Sequence, residues 1–391
     1  MSAAGLEVAE VVRKHGAAYA QAHKVPRRHL RVLNDIVQCR TAVLGGHLER
    51  CDQCSYERIS YNSCRNRHCP KCGALAREKW LRARQEELLP VPYFHIVFTL
   101  PDELNALALI NQRVVYNILF HAAAQTLLVL ARQPRHLGAE IGLIAVLHTW
   151  GQTLVEHPHL HCIVPGGGLS DDGAQWIASR EKFFLPVHVL SQVFRGKFLD
   201  ELKSAYKAKR LRFLGRAKQL GQRCEFQQLL DRLYSKAWVV YAKQPFGGPE
   251  QVLAYLGRYT HRVAITNHRL VSLQDGRVTF QWRDYRDRKR SKLMTLEAFE
   301  FLRRFLLHVL PEGFCKIRYY GILSSRRRQT ELRRCQVLLG ITAAGEQHHE
   351  PVVWQDLLLE ITGIDLRRCP NCHDGRMAFV RELAPLRAAG P

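Results

Sequence analysis

The stretch His157-Pro-His159-Leu-His161 decides the fold of the middle of this chain. It enters an apolar run that stops at three glycines, residues 166–168, and a longer apolar run, residues 141–154, precedes it. Two such runs separated by a short polar segment predict paired β-strands. Because side chains two positions apart on a strand point to the same face, His159 and His161 should lie side by side.

Two neighbouring imidazoles can bind one divalent metal ion if an adjacent strand supplies a third ligand. His148, on the preceding run, is the predicted third ligand, and Gln152 is the alternative. A lone histidine is more often simply hydrogen-bonded or exposed, but three within five residues make a metal site the better interpretation. His157 is expected just outside the ligand set, where it would support a ligand or contact the substrate.

Further along the chain, Tyr255 and Tyr259 stand four residues apart, so a helix would place both phenols on one face. Ordinary amphipathic packing would explain this pair if it stood alone. Arg258, His261 and Arg262 surround it, however. Cations around two phenols are typical of a surface that faces phosphate.

The overall charge predicts a polyanionic partner. The chain has 58 Lys and Arg against 35 Asp and Glu, which gives a formal charge of +23. Each Lys or Arg that neutralises a phosphate releases counterions, so nucleic acid is the favoured partner. An anionic membrane would also attract this charge. The sequence predicts no strongly basic amphipathic helix at either end, so a membrane surface is not the favoured partner.

The apolar segments do not predict export or membrane insertion. The first sixteen residues carry Glu7 and Glu10 and lack the apolar core of a signal peptide. The most apolar region, residues 104–131, is interrupted by three polar residues and predicts a long buried helix. We therefore expect a cytoplasmic protein, in which cysteines serve as metal ligands or buried thiols rather than disulfides.

Two C-x₂-C pairs predict a zinc site. Cys51 and Cys54 form one pair, Cys69 and Cys72 the other, and fourteen residues separate them. Two such turns can complete a tetrahedral Zn²⁺ site whose four closed ligands indicate a structural role. Nearby, Cys64 is predicted to be a buried thiol, and His68 and His47 to be surface imidazoles. As alternatives, they could replace one of the four cysteines as a ligand or form part of a second site.

The cysteine-rich region is also basic, and its loop supplies the predicted DNA contacts Arg65, Arg67 and Lys71. The alternative is a structural knuckle whose arginines are only solvated. At the far end, Cys369-Pro-Asn-Cys372 resembles half of another zinc knuckle. Its candidate partners, none at a persuasive spacing, are Cys335, His348, His349 and His373.

The whole pattern predicts an α+β fold, because strands and helices do not alternate as a doubly wound sheet requires. Three regions are expected: 1–90, helical, zinc-binding and DNA-binding; 91–325, with the histidines and tyrosines; and 326–391, a basic tail with a possible second zinc knuckle. Within the second region the sequence predicts a helix over 103–132, helices within 188–235, a strand at 238–242, a meander at 262–265, 269–273 and 277–282, and a helix at 295–310.

With one apolar residue between its histidines, His159-Leu-His161 resembles the HUH motif of rolling-circle endonucleases, and the tyrosine pair resembles their two-tyrosine version. The cysteine module is similar to that of transposases of the insertion-sequence 91 family. So are the phrases Pro90-Val-Pro-Tyr-Phe-His-Ile-Val-Phe-Thr-Leu-Pro101 and Arg258-Tyr-Thr-His-Arg-Val-Ala264. The similarity extends from the cysteine module to about residue 325.

This resemblance implies an antiparallel-sheet HUH core with flanking helices, preceded by a small zinc-ribbon-like module that holds structural Zn²⁺. It implies a transposase that cleaves and rejoins single-stranded DNA at insertion-sequence ends, in rolling-circle-type transposition without ATP. Tyr255 and Tyr259 would form 5′-phosphotyrosine, and Mg²⁺ or Mn²⁺ on His148, His159 and His161 would assist them. Arg258 and Arg262 would bind the DNA.

Three other classes of protein fit less well. A zinc-ribbon DNA-binding regulator without catalysis explains the charge and the cysteines but leaves the histidine and tyrosine motifs as coincidences. A zinc hydrolase of the H-x-H-x-D-H type is disfavoured because Cys162-Ile163 follows His161. A conjugative relaxase usually has its tyrosines before its histidines, whereas here they come after.

Overall fold

The computed structural model describes residues 5–85, 87–180, 184–246, 251–252, 257, 264–285, 287–341 and 353–386. Tertiary contacts group the chain into two units, each made of separate segments. The cysteine unit comprises Met1–Arg82, His261–Val309 and Glu346–Pro391, and the histidine unit comprises Ala83–Thr260 and Leu310–Gly345. The linear division at residues 90 and 325 does not follow these contacts and remains a prediction about domains.

The described helices are α1 Val8–Ala22, α2 Arg27–Gln38, α3 Gly73–Gln85, α4 Asn105–Ile110, α5 Gln112–Arg132, α6 Val187–Lys207, α7 Arg223–Ser235, α8 Ala298–Leu307, α9 Arg328–Leu338 and α10 Trp354–Thr362. The described strands are β1 Gly46–Cys51, β2 Glu57–Tyr61, β3 Tyr93–Thr99, β4 Gly142–Trp150, β5 Glu156–Pro165, β6 Gly167–Leu169, β7 Trp176–Ala178, β8 Val240–Phe246, β9 Leu270–Gln274, β10 Arg277–Asp284, β11 Arg290–Glu297, β12 Ile317–Gly321 and β13 Met377–Leu383.

The histidine unit is built on a five-stranded antiparallel sheet with the order β12-β4-β5-β3-β8, so β5 is its central strand. Alternate side chains of β3, β4 and β5 enter an apolar core shared with α5 and α6. Phe98 of β3, for example, contacts Phe194 of α6 with ring centroids 4.8 Å apart. The other alternate positions of these strands face away from that core, and the predicted histidines lie there. The α+β class is confirmed.

The apolar helix α5 belongs to the core of the histidine unit. Within the described part of the chain it is the one helix with the length and composition to cross a membrane, but 67% of its most apolar window is buried inside the fold. The prediction of one continuous helix here was wrong in a detail. The backbone of Asn111 leaves the helical region at φ −117° and ψ 37° and separates α4 from α5. The Asn111 side chain compensates by donating to the carbonyl oxygens of Leu107 and Arg212.

The cysteine unit contains two three-stranded antiparallel sheets, β13-β1-β2 and β11-β10-β9. In the first, the C-terminal strand β13 pairs with β1 from Gly46 opposite Leu383 to Cys51 opposite Met377. Segments more than three hundred residues apart in sequence therefore form one sheet. Contacts also join α1 to α2 and to α8.

The second sheet corrects the predicted meander. The turn at Asp275 and Gly276 is confirmed, and both residues have a positive φ as a type I′ hairpin requires. The third strand is β11, whereas the segment 264–265 forms a bend and residues 262–263 lie outside the described residues. The helix predicted at 295–310 starts at Ala298, because the preceding three residues complete β11.

Candidate functional site

Three imidazoles meet on the face of the five-stranded sheet that points away from its core. His148 of β4 lies directly opposite His159 of β5, and His161 follows on the same face. The ring centroid of His161 is 4.5 Å from that of His148 and 4.8 Å from that of His159. One ring nitrogen of each lies within 4.8 Å of the others. The predicted residues are thus together, at a spacing that fits a single ion. Gln152, the alternative ligand, lies in the turn after β4.

A backbone hydrogen bond determines which nitrogen of His159 can act as a ligand. Its Nδ1 lies 2.6 Å from the carbonyl oxygen of His157. A carbonyl oxygen only accepts, so Nδ1 carries the proton and Nε2 keeps the lone pair that a metal ion needs. His157 therefore supports the ligand set through its backbone.

His95 of β3 also contacts the set, and the sequence analysis did not select it. Its Nε2 lies 2.9 Å from Nδ1 of His161, and the two rings are parallel within 8°. When Nδ1 of His161 donates this hydrogen bond, Nε2 of His161 keeps its lone pair. The available signal was the alternation of β3, which places His95 on one face with Val97 and Thr99. Knowing which strand lies beside β3 would have been necessary to use it.

Burial disfavours the charged form of His159 and of His95. Removal from water lowers the pKa of His159 to about 4. Burial, followed by the positive charge of Lys243 across the sheet, lowers the pKa of His95 to about 3. Neutral imidazole is the form that binds metal ions. His159 can therefore act as a ligand at neutral pH without first losing a proton.

The predicted nucleophiles Tyr255 and Tyr259 lie outside the described residues, as do Arg258 and Arg262. Their roles remain predictions. The strand β8, which ends shortly before this segment, lies at the edge of the same sheet as the histidines.

Eight of the twelve cysteines form two sets of four in the cysteine unit, and within each set the sulfurs lie within 4.8 Å of one another. The first set is Cys39, Cys64, Cys69 and Cys72, and the second set is Cys51, Cys54, Cys369 and Cys372.

The predicted single zinc site of Cys51, Cys54, Cys69 and Cys72 was therefore wrong in its grouping. Each C-x₂-C pair has partners of its own. The physical reason is that β1 pairs with β13, which brings the knuckle before β13 to Cys51. The other pair meets Cys39 at the end of α2, with 3.3 Å between Sγ of Cys39 and Sγ of Cys72.

The residues that were left open near the cysteines are now placed. Cys64, for which a buried thiol was predicted and a metal-ligand role was the alternative, is in the first set, with its Sγ 3.5 Å from that of Cys72. His68 bonds through Nδ1 to the side-chain oxygen of Asn66. Cys335 is buried in the histidine unit, so it is not a partner of the C-terminal knuckle. The other candidates for that knuckle are His373, which is exposed, and His348 and His349, which lie outside the described residues.

In each set, hydrogen bonds favour the zinc-binding thiolate form of one cysteine, whereas the pKa of neighbouring cysteines such as Cys51 and Cys69 is raised. The backbone amide of Tyr56, then the side chain of Asn371, lower the pKa of Cys54 to about 6. In the first set, Cys64 and then Cys69 donate to Cys72 and lower its pKa. Four thiolates around one position leave no open coordination site, which is typical of structural zinc.

The predicted DNA contacts of this region differ in availability. Arg65 and Arg67 are exposed in the loop between Cys64 and Cys69. Lys71 instead forms an ion pair with Glu7, with 2.5 Å between Nζ and the carboxylate, and only 18% of its side chain is exposed. The two arginines are thus more exposed than Lys71, and the DNA contact of all three remains a prediction.

Comparison with known proteins gives consistent results over nearly the whole chain. A family model described as "Transposase zinc-binding domain" matches residues 11–100, and one described as "Putative transposase" matches residues 142–330. The first match includes the complete set of Cys39, Cys64, Cys69 and Cys72. The second includes the three imidazoles and both tyrosines.

Two relatives match along most of their length. The chain is 54% identical over 382 residues to "Putative transposase y4qJ" of Sinorhizobium fredii, covering 97% of this chain and 96% of the relative. It is 27% identical over 361 residues to the transposase for insertion sequence element IS801 of Pseudomonas savastanoi pv. phaseolicola, covering 91% of this chain and 84% of the relative. No solved structure matches the chain.

Proposed function

This chain belongs to the insertion-sequence 91 family of transposases, with an N-terminal zinc-binding domain, and from that membership we propose that it cleaves and rejoins single-stranded DNA through 5′-phosphotyrosine in rolling-circle-type transposition. A role in transposition, binding to insertion-sequence ends and structural zinc follow from the family and the cysteine sets. The observation that carries the finer mechanism is the meeting of His148, His159 and His161 on one face of the sheet.

These three histidines would hold a divalent ion, which when bound polarises the scissile phosphate and stabilises charge on its oxygens. Three ligands leave coordination positions for phosphate oxygens and water. Nitrogen ligands favour Mn²⁺ over Mg²⁺, because Mg²⁺ prefers oxygen ligands. His95 and the carbonyl of His157 would hold two of the rings in the tautomer that binds an ion.

Tyr255 or Tyr259 would supply the nucleophile. A free phenol has a pKa of about 10, so cations nearby must help it to lose its proton. Its oxygen attacks phosphorus, an O–P bond to tyrosine forms, and the bond to the 3′ oxygen breaks to give a 3′-hydroxyl. The new ester keeps the energy of the original bond, so a 3′-hydroxyl can reverse the step without ATP. Two tyrosines allow one to hold the donor end while the other cleaves.

The histidine unit also offers a basic surface for DNA, here called the α6–α7 basic surface. Its members are exposed Lys and Arg residues of α6, of the segment after it and of the first turn of α7: Lys203, Lys207, Lys209, Arg210, Arg212, Arg216, Lys218 and Arg223. Within the described part of the chain, none of their side chains forms an ion pair with a carboxylate. Positive charges without acidic partners favour phosphate, and no membrane partner is expected. DNA binding of this kind suits a cytoplasmic, nucleoid-associated protein.

The test is incubation of labelled single-stranded element ends with the full chain and Mn²⁺, followed by denaturing electrophoresis for a covalent protein–DNA band. Tyr255→Phe combined with Tyr259→Phe should abolish the band while DNA binding survives. Tyr241→Phe is the matched control, because this phenol is 55% exposed on β8 of the same unit and should be dispensable. His159→Ala with His161→Ala should remove cleavage.

Two results would contradict the proposal. Adducts formed by the double tyrosine variant would exclude these nucleophiles, and full activity in the presence of a chelator would exclude the metal. Binding without any adduct in the wild type would favour the alternative, a zinc-dependent DNA-binding regulator.

A further inference from the structure

We propose that the second cysteine set is a zinc site built from both ends of the chain, so that the protein binds two structural zinc ions. Cys51 and Cys54 come from the N-terminal region, and Cys369 and Cys372 come from the C-terminal region. The second pair lies outside residues 11–100, to which the zinc-binding family model is matched. This inference does not depend on the mechanism of DNA cleavage.

The distances between the sulfurs fit a single tetrahedral ion. The Sγ atoms of Cys51 and Cys372 are 3.7 Å apart, and those of Cys54 and Cys369 are 3.6 Å apart. A tetrahedral ion with Zn–S bonds of about 2.3 Å separates its sulfurs by about 3.8 Å. A disulfide would require about 2.05 Å. An iron–sulfur cluster would need space between the thiolates for its inorganic atoms.

Backbone amides point at the sulfurs of both knuckles. The N–H groups of Gln53 and Cys54 donate to Sγ of Cys51 at 3.4 and 3.5 Å. In the C-terminal knuckle, N–H groups donate to both sulfurs: Asn371 to Cys369 at 3.4 Å and Gly375 to Cys372 at 3.3 Å. Such donors stabilise negative charge on sulfur. Their repetition in two separate segments indicates a built site rather than a chance cluster of thiols.

The two knuckles also fit closely against each other. A Cβ atom on Gly375 would lie 2.4 Å from Sγ of Cys51, so this position has no space for a side chain. Asp52 joins the knuckles directly, because its backbone N–H donates to the carbonyl of Arg376 and its carboxylate accepts from the N–H of Arg376 at 2.8 Å. The approach that brings the four sulfurs together is thus stabilised independently of any ion.

The position of the site gives it a consequence for the fold. It lies at one end of the ladder between β1 and β13, where Cys51 stands opposite Met377. An ion there would attach the C-terminal strand β13 to β1, the first of the described strands. The zinc-binding module of this protein would therefore be complete only when residues 369–383 are present.

The experiment measures zinc in the purified full-length chain by mass spectrometry. We expect two zinc ions per chain in the wild type and one in Cys369→Ser/Cys372→Ser. Cys64→Ser/Cys69→Ser should also retain one, through the second set. Cys224→Ser/Cys315→Ser is the matched control, since both thiols are exposed and outside the two sets, and it should retain two. Hydrogen exchange of β13 should accelerate in the first variant, because its ladder loses the ion at one end.

One zinc ion in the wild type, or two in Cys369→Ser/Cys372→Ser, would overturn the proposal. If that variant does not fold, thiol labelling of the native wild type decides. Cys51, Cys54, Cys369 and Cys372 should resist alkylation with zinc bound and react together after chelation. Reaction of these four thiols in the zinc-loaded protein would contradict the site.

Discussion

His95 should control the affinity of the histidine set for its metal ion, although it is not itself a predicted ligand. It is 5% exposed, and its Nε2 lies 2.9 Å from Nδ1 of His161. His95→Phe keeps a flat ring of similar volume but removes the ring nitrogen that pairs with Nδ1 of His161. Loss of such an orienting partner typically weakens metal binding 10- to 100-fold. This corresponds to about 1.4–2.7 kcal/mol of binding free energy.

The assay is the rate of adduct formation on single-stranded element ends as a function of Mn²⁺ concentration, with direct Mn²⁺ titration beside it. In His95→Phe the Mn²⁺ concentration for half-maximal rate should rise by the same 10- to 100-fold, while the rate at saturation changes little. His95→Gln keeps an acceptor and should recover part of the affinity. Phe98→Leu is the control, because it perturbs the same strand on its core face.

The reasoning fails if His95→Phe binds Mn²⁺ as tightly as the wild type. It also fails if Phe98→Leu weakens Mn²⁺ binding equally, since the effect would then reflect general loosening of β3. A rate that stays low at saturating Mn²⁺ would instead indicate that His95 acts on the DNA or on the nucleophile.

Two further predictions concern stability. Burial and then the charge of Arg28 lower the pKa of His29 to about 4, so the unfolded chain binds more protons between that value and about 6.5. Stability from this residue is complete above pH 6.5 and falls as the pH drops toward 4. His29→Phe should therefore gain about 2 kcal/mol relative to the wild type between pH 8 and pH 5 in denaturant titrations, and a pH-independent difference would refute this. Gly321 has φ +61° and a Cβ there would lie 1.9 Å from the carbonyl oxygen of Ile141, so Gly321→Ala should lose more than about 2 kcal/mol in thermal unfolding. Gly313→Ala is the control, with φ +66° and open space around it, and an equal loss in both variants would show that the contact with Ile141 is unimportant.

Local patterns in the sequence were sufficient to predict which side chains meet wherever those residues lie close together in the chain. The alternation of β5 predicted which histidines share a face, and the preceding apolar run predicted His148 opposite them. His95 was missed because alternation within a strand does not say which strand lies beside it. The pairing of β3 with β5 depends on tertiary packing, because side chains of both strands enter the apolar core on the other face of the sheet.

The cysteines show the same limit more clearly. A C-x₂-C pair specifies a tight turn with two thiols, but not which other turn completes the site. The spacing of fourteen residues favoured pairing Cys54 with Cys69, whereas the ladder of β1 with β13 brings Cys369 to Cys54 instead. Cys39 stands outside any C-x₂-C pair, so no motif indicates it. Only the fold, through the end of α2, places it beside Cys72.

The donor atoms of the three proposed metal sites favour different roles. Two sets of four thiolates present soft, closed coordination, which holds zinc and leaves no position for a reactant. Three imidazoles would present fewer and less soft ligands, which would leave positions for phosphate oxygens and suit an ion that exchanges its partners during the proposed reaction. The thiolates join segments distant in sequence, while the imidazoles lie on adjacent strands of a sheet that an apolar core already holds. We therefore expect structure to depend on the first kind of site and the proposed chemistry to depend on the second.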